Sequence, residues 1–219
     1  MTESELRQEI CQVGASLYAR GYVHASAGNI SVRLPDETPG YLITPTDACL
    51  GRLDPSTLSK VDLNGVQVSG ARASKTLVLH RTIYAAEPQA RCIIHTHSTH
   101  LVALTLKGVW HPDDILPPIT PYFVMKVGHV PLIPYHRPGD PVVGELVAQR
   151  IAAMRQRGTP IRAVMLSRLG PNVWAGSPAE ASVILEELEE TARLWHLTQA
   201  SSLTEEQIQT LRTSFGAIW

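Results

Sequence analysis

The stretch Arg91-Cys92-Ile93-Ile94-His95-Thr96-His97-Ser98-Thr99-His100 decides how this chain is read. Arg91 to His97 is rich in apolar and β-branched residues and reads as a strand. Side chains alternate along a strand, so Cys92, Ile94 and Thr96 face one way and Ile93, His95 and His97 the other. Two imidazoles on one face of a rigid strand can grip a single divalent metal. Zinc takes three or four such ligands, so the pair is at most part of a set. His-x-His is a short motif, and two ordinary polar residues at a strand end would look the same.

On the N-terminal side, Ser74 to Ala86 reads as a helix capped by Ser74 and buried through Leu77, Ile83 and Tyr84. Before it, Leu58 to Val68 reads as a strand pair turning at Asn64-Gly65, a type I′ signal. Asn29–Arg33 and Gly40–Thr44 read as a hairpin around Pro35-Asp36. The first helix starts on a Thr2-Glu5 capping box, buries Leu6, Ile10, Val13 and Leu17, and stops at Gly21. On the C-terminal side, Thr99 to Leu106 reads as a short helix, residues 107 to 122 as a proline-rich loop, and Phe123 to Pro134 as extended. Pro141 to Arg157 is a helix. Ile161–Ser167 and Asn172–Ala175 are strands joined at Gly170-Pro171. Pro178 to Thr198 is a long helix with Ala181, Leu185, Leu188, Ala192 and Trp195 on one stripe. A last helix spans Thr204 to Phe215. Strands and helices alternate irregularly and several strand pairs are hairpins, which predicts an α/β fold with a mixed sheet covered by helices.

The 219 residues suffice for one substantial core, and no linker or repeat divides them, so one domain over 1–219 is expected. The formal net charge is −1, which points away from nucleic acid and anionic membranes. Cys11, Cys49 and Cys92 are odd in number and widely spaced, as reduced thiols in the cytoplasm would be. No apolar run reaches the ~18 residues of a membrane span, and no signal peptide is evident at the acidic N-terminus.

Four segments together resemble the class II aldolase/adducin family: Gly28-Asn29-Ile30-Ser31, Thr44-Pro45-Thr46, the Ser74-Lys75 helix start, and His95-Thr96-His97. The resemblance covers nearly the whole chain in the family's order. Within the family the chain looks most like the branch that decarboxylates 3-oxo-tetronate 4-phosphate. Cys49-Leu50-Gly51, Leu58-Ser59-Lys60-Val61, Pro117 to Tyr122 and Tyr135-His136-Arg137-Pro138-Gly139-Asp140 carry that likeness. The resemblance implies a three-layer α/β/α sandwich around a mixed, largely antiparallel sheet, a homotetramer, and a divalent metal, zinc foremost. It implies a carbon–carbon lyase acting on a phosphorylated sugar acid, with dihydroxyacetone phosphate and CO2 as products. His95 and His97 stand at metal positions. Gly28, Asn29, Thr46, Ser74 and Lys75 stand where the family cradles phosphate. An anion at the Ser74 helix start would meet free N–H groups, and Lys75 adds a point charge.

Two positions depart from the pattern. Thr76 stands where the family places a Glu acid/base, and a hydroxyl has no useful pKa near neutrality. Aldol cleavage needs that base; loss of CO2 does not, and only the later protonation needs an acid, for which water or a tyrosine such as Tyr122 could serve. Leu169 stands where the family has its third metal histidine. His136 is the leading replacement, with His100, His24 and His129 behind it. Arg137 and Arg168 could hold substrate oxygens or lie on the surface. A sugar-phosphate aldolase or epimerase, and a non-catalytic adducin-like relative, stay open as alternatives.

Overall fold

Local patterning produces eight strands and six α-helices in a computed structural model that describes residues 1–219. Helix α1 (Glu3–Ala19) begins at the expected capping box and ends at Gly21, whose φ of 74° lets its N–H and that of Tyr22 close back on Tyr18 and Leu17. The strands are β1 (Asn29–Arg33), β2 (Tyr41–Ile43), β3 (Ser59–Val61), β4 (Gln67–Ser69), β5 (Cys92–His95), β6 (Leu132–Ile133), β7 (Ala163–Leu166) and β8 (Gly170–Ala175). They form one sheet in the order β4-β3-β2-β1-β5-β8-β7-β6. Every pairing is antiparallel except β6 with β7, so the sheet is mixed and largely antiparallel.

The remaining helices are α2 (Leu77–Ala86), α3 (Thr99–Lys107), α4 (Val142–Gln156), α5 (Pro178–Thr198) and α6 (Glu205–Phe215). Strand alternation divides the core between the two faces of the sheet. Cys92 and Ile94 join Leu6 and Ile10 of α1, Leu101 of α3, and Leu185 and Leu188 of α5. Ile93 joins Leu77, Ile83 and Tyr84 of α2 with Val147 and Ile151 of α4. Each fully buried aliphatic side chain in these layers contributes about 1.5–3 kcal/mol. The result is the three-layer α/β/α sandwich, with β5 at its centre and His95 at the end of β5.

Four local expectations change. Asn64 does not take positive φ, so the β3–β4 turn is not type I′; only Gly65 does (89°), and its N–H donates to the Asp62 carbonyl. Helix α2 starts at Leu77 rather than Ser74; Thr76 is already αR and Ser74 caps the preceding turn, its Oγ accepting from the Thr76 N–H at 3.4 Å. Phe123–Val127 is a π-helical turn, not extended chain. Thr120 Oγ1 accepts from the Phe123 N–H, and burying Phe123, Val124 and Val127 together requires the coil. Finally, β8 already begins at Gly170, so the β7–β8 reversal falls on Ser167–Leu169, with Arg168 at φ 64°.

Candidate active site at the end of strand β5

Cross-strand pairing gathers the site. Asn29 on β1 and Asn172 on β8 both pair with His95, one on each side. Directly opposed residues share a face, so three polar side chains form a row across the middle of the sheet. Asn29 is 5 %, His95 6 % and Asn172 1 % exposed. Gly28 and Gly170 flank the row because backbone comes too close for a side chain. A Cβ on Gly28 would stand 2.8 Å from the His95 carbonyl oxygen, and one on Gly170 only 1.9 Å from that of Thr96. Gly170 thereby leaves open the space beside His97.

The two histidine side chains lie side by side. The His95 and His97 ring centroids are 5.0 Å apart, edge to face. His95 Nδ1 lies 2.8 Å from the Pro171 carbonyl, which can only accept; Nδ1 therefore carries the proton and Nε2 presents its lone pair. Burial pushes the His95 pKa down to about 4, with a further push from His97. Burial, then the charge of His24, lowers His97 as well. Both imidazoles are thus neutral at pH 7, the form a metal binds.

The chemistry of these two donors fits a divalent ion at two positions and no more. No three His, Cys, Asp or Glu side chains converge where one ion could be held. Leu169 packs against the α2–α4 cluster. Among the expected replacements, His136 lies 3.8 Å from Asp140 in its own loop, His100 Nδ1 contacts Glu189 at 2.8 Å, and His129 Nδ1 contacts Asp114 at 2.5 Å. His24, in the loop before β1, is the one whose charge reaches His97.

The residues expected at a phosphate are partly brought together. The Pro45–Ala73 bridge and the Thr46 N–H to Arg72 carbonyl bond (2.9 Å) bring Thr46 beside the Ser74-Lys75 segment. Ser74 Oγ and Thr76 Oγ1 are 2.8 Å apart, and Lys75 is exposed. Asp47, whose charge would oppose a phosphate, is exposed at φ 58°. Tyr122 is 60 % exposed and makes no hydrogen bond to any of these residues. Arg168 and Arg137 are exposed; Arg137 faces Asp140 at 3.9 Å.

Two buried polar residues near the pair were not singled out from the sequence. One is Asn172, a polar residue amid Val173, Trp174 and Ala175. The other is His80, which falls on the Leu77–Ile83–Tyr84 stripe of α2 and is fully buried. Counting protons fixes its tautomer. Tyr84 Oη spends its single proton on the Ser31 carbonyl (3.0 Å), so Ser31 Oγ must donate to Tyr84 Oη (2.9 Å). The 2.7 Å contact of Ser31 Oγ with His80 Nδ1 then needs the His80 proton, leaving His80 Nε2 bare and unpartnered. Burial and the neighbouring His95 push the His80 pKa down to about 3. Downstream of the pair, Glu189 of α5 accepts from the His100 and Leu101 N–H groups (2.9 and 3.1 Å) and anchors the start of α3.

The mixed sheet sandwiched by helices is shared with solved structures of known proteins. The chain belongs to the class II aldolase family: the model of the class II aldolase and adducin N-terminal domain matches residues 8–196. It is 56 % identical to the 3-oxo-tetronate 4-phosphate decarboxylase of Cupriavidus necator, covering 100 % of this chain and 99 % of that protein. The protein of the same name from Escherichia coli K12 is 42 % identical over 88 % of this chain and 86 % of its own length. The crystal structure of YgbL from Klebsiella pneumoniae superposes with a TM-score of 0.84 at 44 % identity, covering 97 % of this chain and 100 % of that one.

Proposed function

We propose that this chain is a divalent-metal-dependent carbon–carbon lyase that decarboxylates 3-oxo-tetronate 4-phosphate to dihydroxyacetone phosphate and CO2. The observation that carries the reading is the 56 % identity, end to end, with a decarboxylase of that name. Divalent-metal dependence is general among class II aldolases. His95 and His97 would hold the ion, which supplies a Lewis acid for negative charge gathering on the 3-oxo oxygen. Zinc, a homotetramer with sites between protomers, and a cytoplasmic setting belong to the same reading. No helix is long and apolar enough to cross a membrane.

The residues suit this chemistry better than aldol cleavage. The bond from the carboxylate carbon to C2 breaks, its electron pair moves toward the 3-oxo oxygen, and CO2 leaves. No base is needed to start, which accords with Thr76 at the family's Glu position. C2 then takes one proton, and Tyr122, exposed on the surface, supplies it across a protomer boundary. Asn29, Thr46, Ser74 and Lys75 orient the phosphate, and Gly28 lets β1 approach β5 closely enough for Asn29 to reach it.

The test is CO2 release from 3-oxo-tetronate 4-phosphate by wild-type protein and by His95→Ala/His97→Ala. Loss of about a hundredfold or more is expected; an unchanged rate sinks the reading. One observation favours a second reading. With Thr76, Leu169 and no three-donor cluster, the chain could bind the phosphorylated acid without turning it over. Saturable binding of the acid by metal-loaded wild-type protein with no CO2 released would select it.

A further inference from the structure

One buried polar side chain on β8 is left without any partner. Asn172 is 1 % exposed, and neither its Oδ1 nor its Nδ2 has a hydrogen-bond partner. A buried amide left unpaired costs about 1–3 kcal/mol for each group, so such a residue requires an explanation. Its cross-strand neighbours are His95 on β5 and Val164 on β7. Val164 offers nothing polar. His95 is directly opposite, where Cβ atoms stand about 4.5–5.5 Å apart. Along β8 the next position on that face toward the turn is Gly170, whose added Cβ would lie 3.3 Å from the His97 Cα. Asn172 is therefore the first side chain that β8 offers to both histidines. On the other flank of His95, Asn29 Oδ1 is also buried and without a donor.

The geometry points to Asn172 as the third protein donor of the divalent-ion site, its Oδ1 completing with His95 and His97 a set that Leu169 cannot. A carboxamide oxygen is an accepted ligand for divalent cations, harder than an imidazole nitrogen. A ligand three residues beyond Leu169 keeps the site on β8 while the partly buried Leu169 packs against the α2–α4 cluster. This inference rests on the reading of His95 and His97 as metal ligands.

The experiment is a titration of metal-stripped full-length protein with Co2+ and Zn2+, following the Co2+ electronic spectrum and competition with a chromophoric chelator. The variants are His95→Ala, Asn172→Val, Asn172→Asp, Leu169→His and Leu169→His/Asn172→Val, each checked by thermal melting. Asn172→Val should weaken binding about tenfold or more and change the Co2+ spectrum. Asn172→Asp should tighten binding. Leu169→His should restore the affinity of the Asn172→Val protein. If Asn172 is only an unsatisfied core amide, Asn172→Val melts higher than wild type with metal affinity unchanged, and the inference is overturned. If wild-type protein and His95→Ala bind metal equally weakly, the histidine reading fails and this inference falls with it. Loss of binding in His95→Ala but not in Asn172→Val overturns the inference alone.

Discussion

Acid should destabilise this protein through His80 in a way that one substitution isolates. The residue is fully buried, and its Nδ1 proton is committed to Ser31. Its Nε2 faces no acceptor that could share a second proton. Its folded pKa of about 3 lies far below the usual 6.5. The sign follows. Above about pH 6.5 both folded and unfolded chains hold His80 neutral, and pH has no effect through this residue. Between there and about pH 3 the unfolded chain takes up a proton that the folded chain refuses, so stability falls as pH falls. One proton corresponds to about 1.4 kcal/mol per pH unit, or about 2.7 kcal/mol between pH 6.5 and pH 4.5. That is a large share of a typical folding free energy of about 5–15 kcal/mol. His95, held down to about 4, acts in the same direction, but it is common to both proteins in the comparison. The assay is urea unfolding of wild type and His80→Asn in a chelating buffer from about pH 7 to about pH 4.5. Asn keeps an N–H for Ser31 and cannot be protonated. The stability gap between the two proteins should be constant above about pH 6.5 and should shift by about 2–3 kcal/mol in favour of the variant by pH 4.5. Parallel curves throughout would refute the buried neutral imidazole.

Other consequences are as direct. Gly170→Ala would drive a Cβ to 1.9 Å from the Thr96 carbonyl oxygen at a φ of 135°; a loss of about 3 kcal/mol or more is expected in urea unfolding, and a loss under ~1 kcal/mol contradicts the packing described. Glu189→Ala leaves the His100 and Leu101 N–H groups without acceptors at the start of α3, for about 3 kcal/mol by the same measurement. Lys75→Met should raise KM for the phosphorylated acid about tenfold with kcat and melting temperature unchanged, the size of one charge-assisted contact; an unchanged KM removes Lys75 from the phosphate cradle.

Part of the candidate site was legible because its signals are local. Alternation on Arg91–His97 put His95 and His97 on one face before any neighbour was known, since the two-residue period follows from the extended backbone itself. The α1 and α6 caps were equally plain, because each is completed within four residues. The Phe123–Val127 turn was not: its side chains suit a strand, and only the packing of three of them into the core selects the coil. Nor was the start of α2, where the Pro45–Ala73 bridge and the turn capped by Ser74 delay the helix until Leu77.

What the sequence by itself determined is the strand bearing two histidines, the helical stripes, and the absence of a carboxylate at Thr76 and an imidazole at Leu169. What only the tertiary structure decided is which distant residues stand beside His95. Asn29 and Asn172 reach it through antiparallel register, and His80 through the face that α2 lays on the sheet. Register is a property of pairs of strands, and the burial that leaves an amide or an imidazole without a partner exists only once the layers have closed.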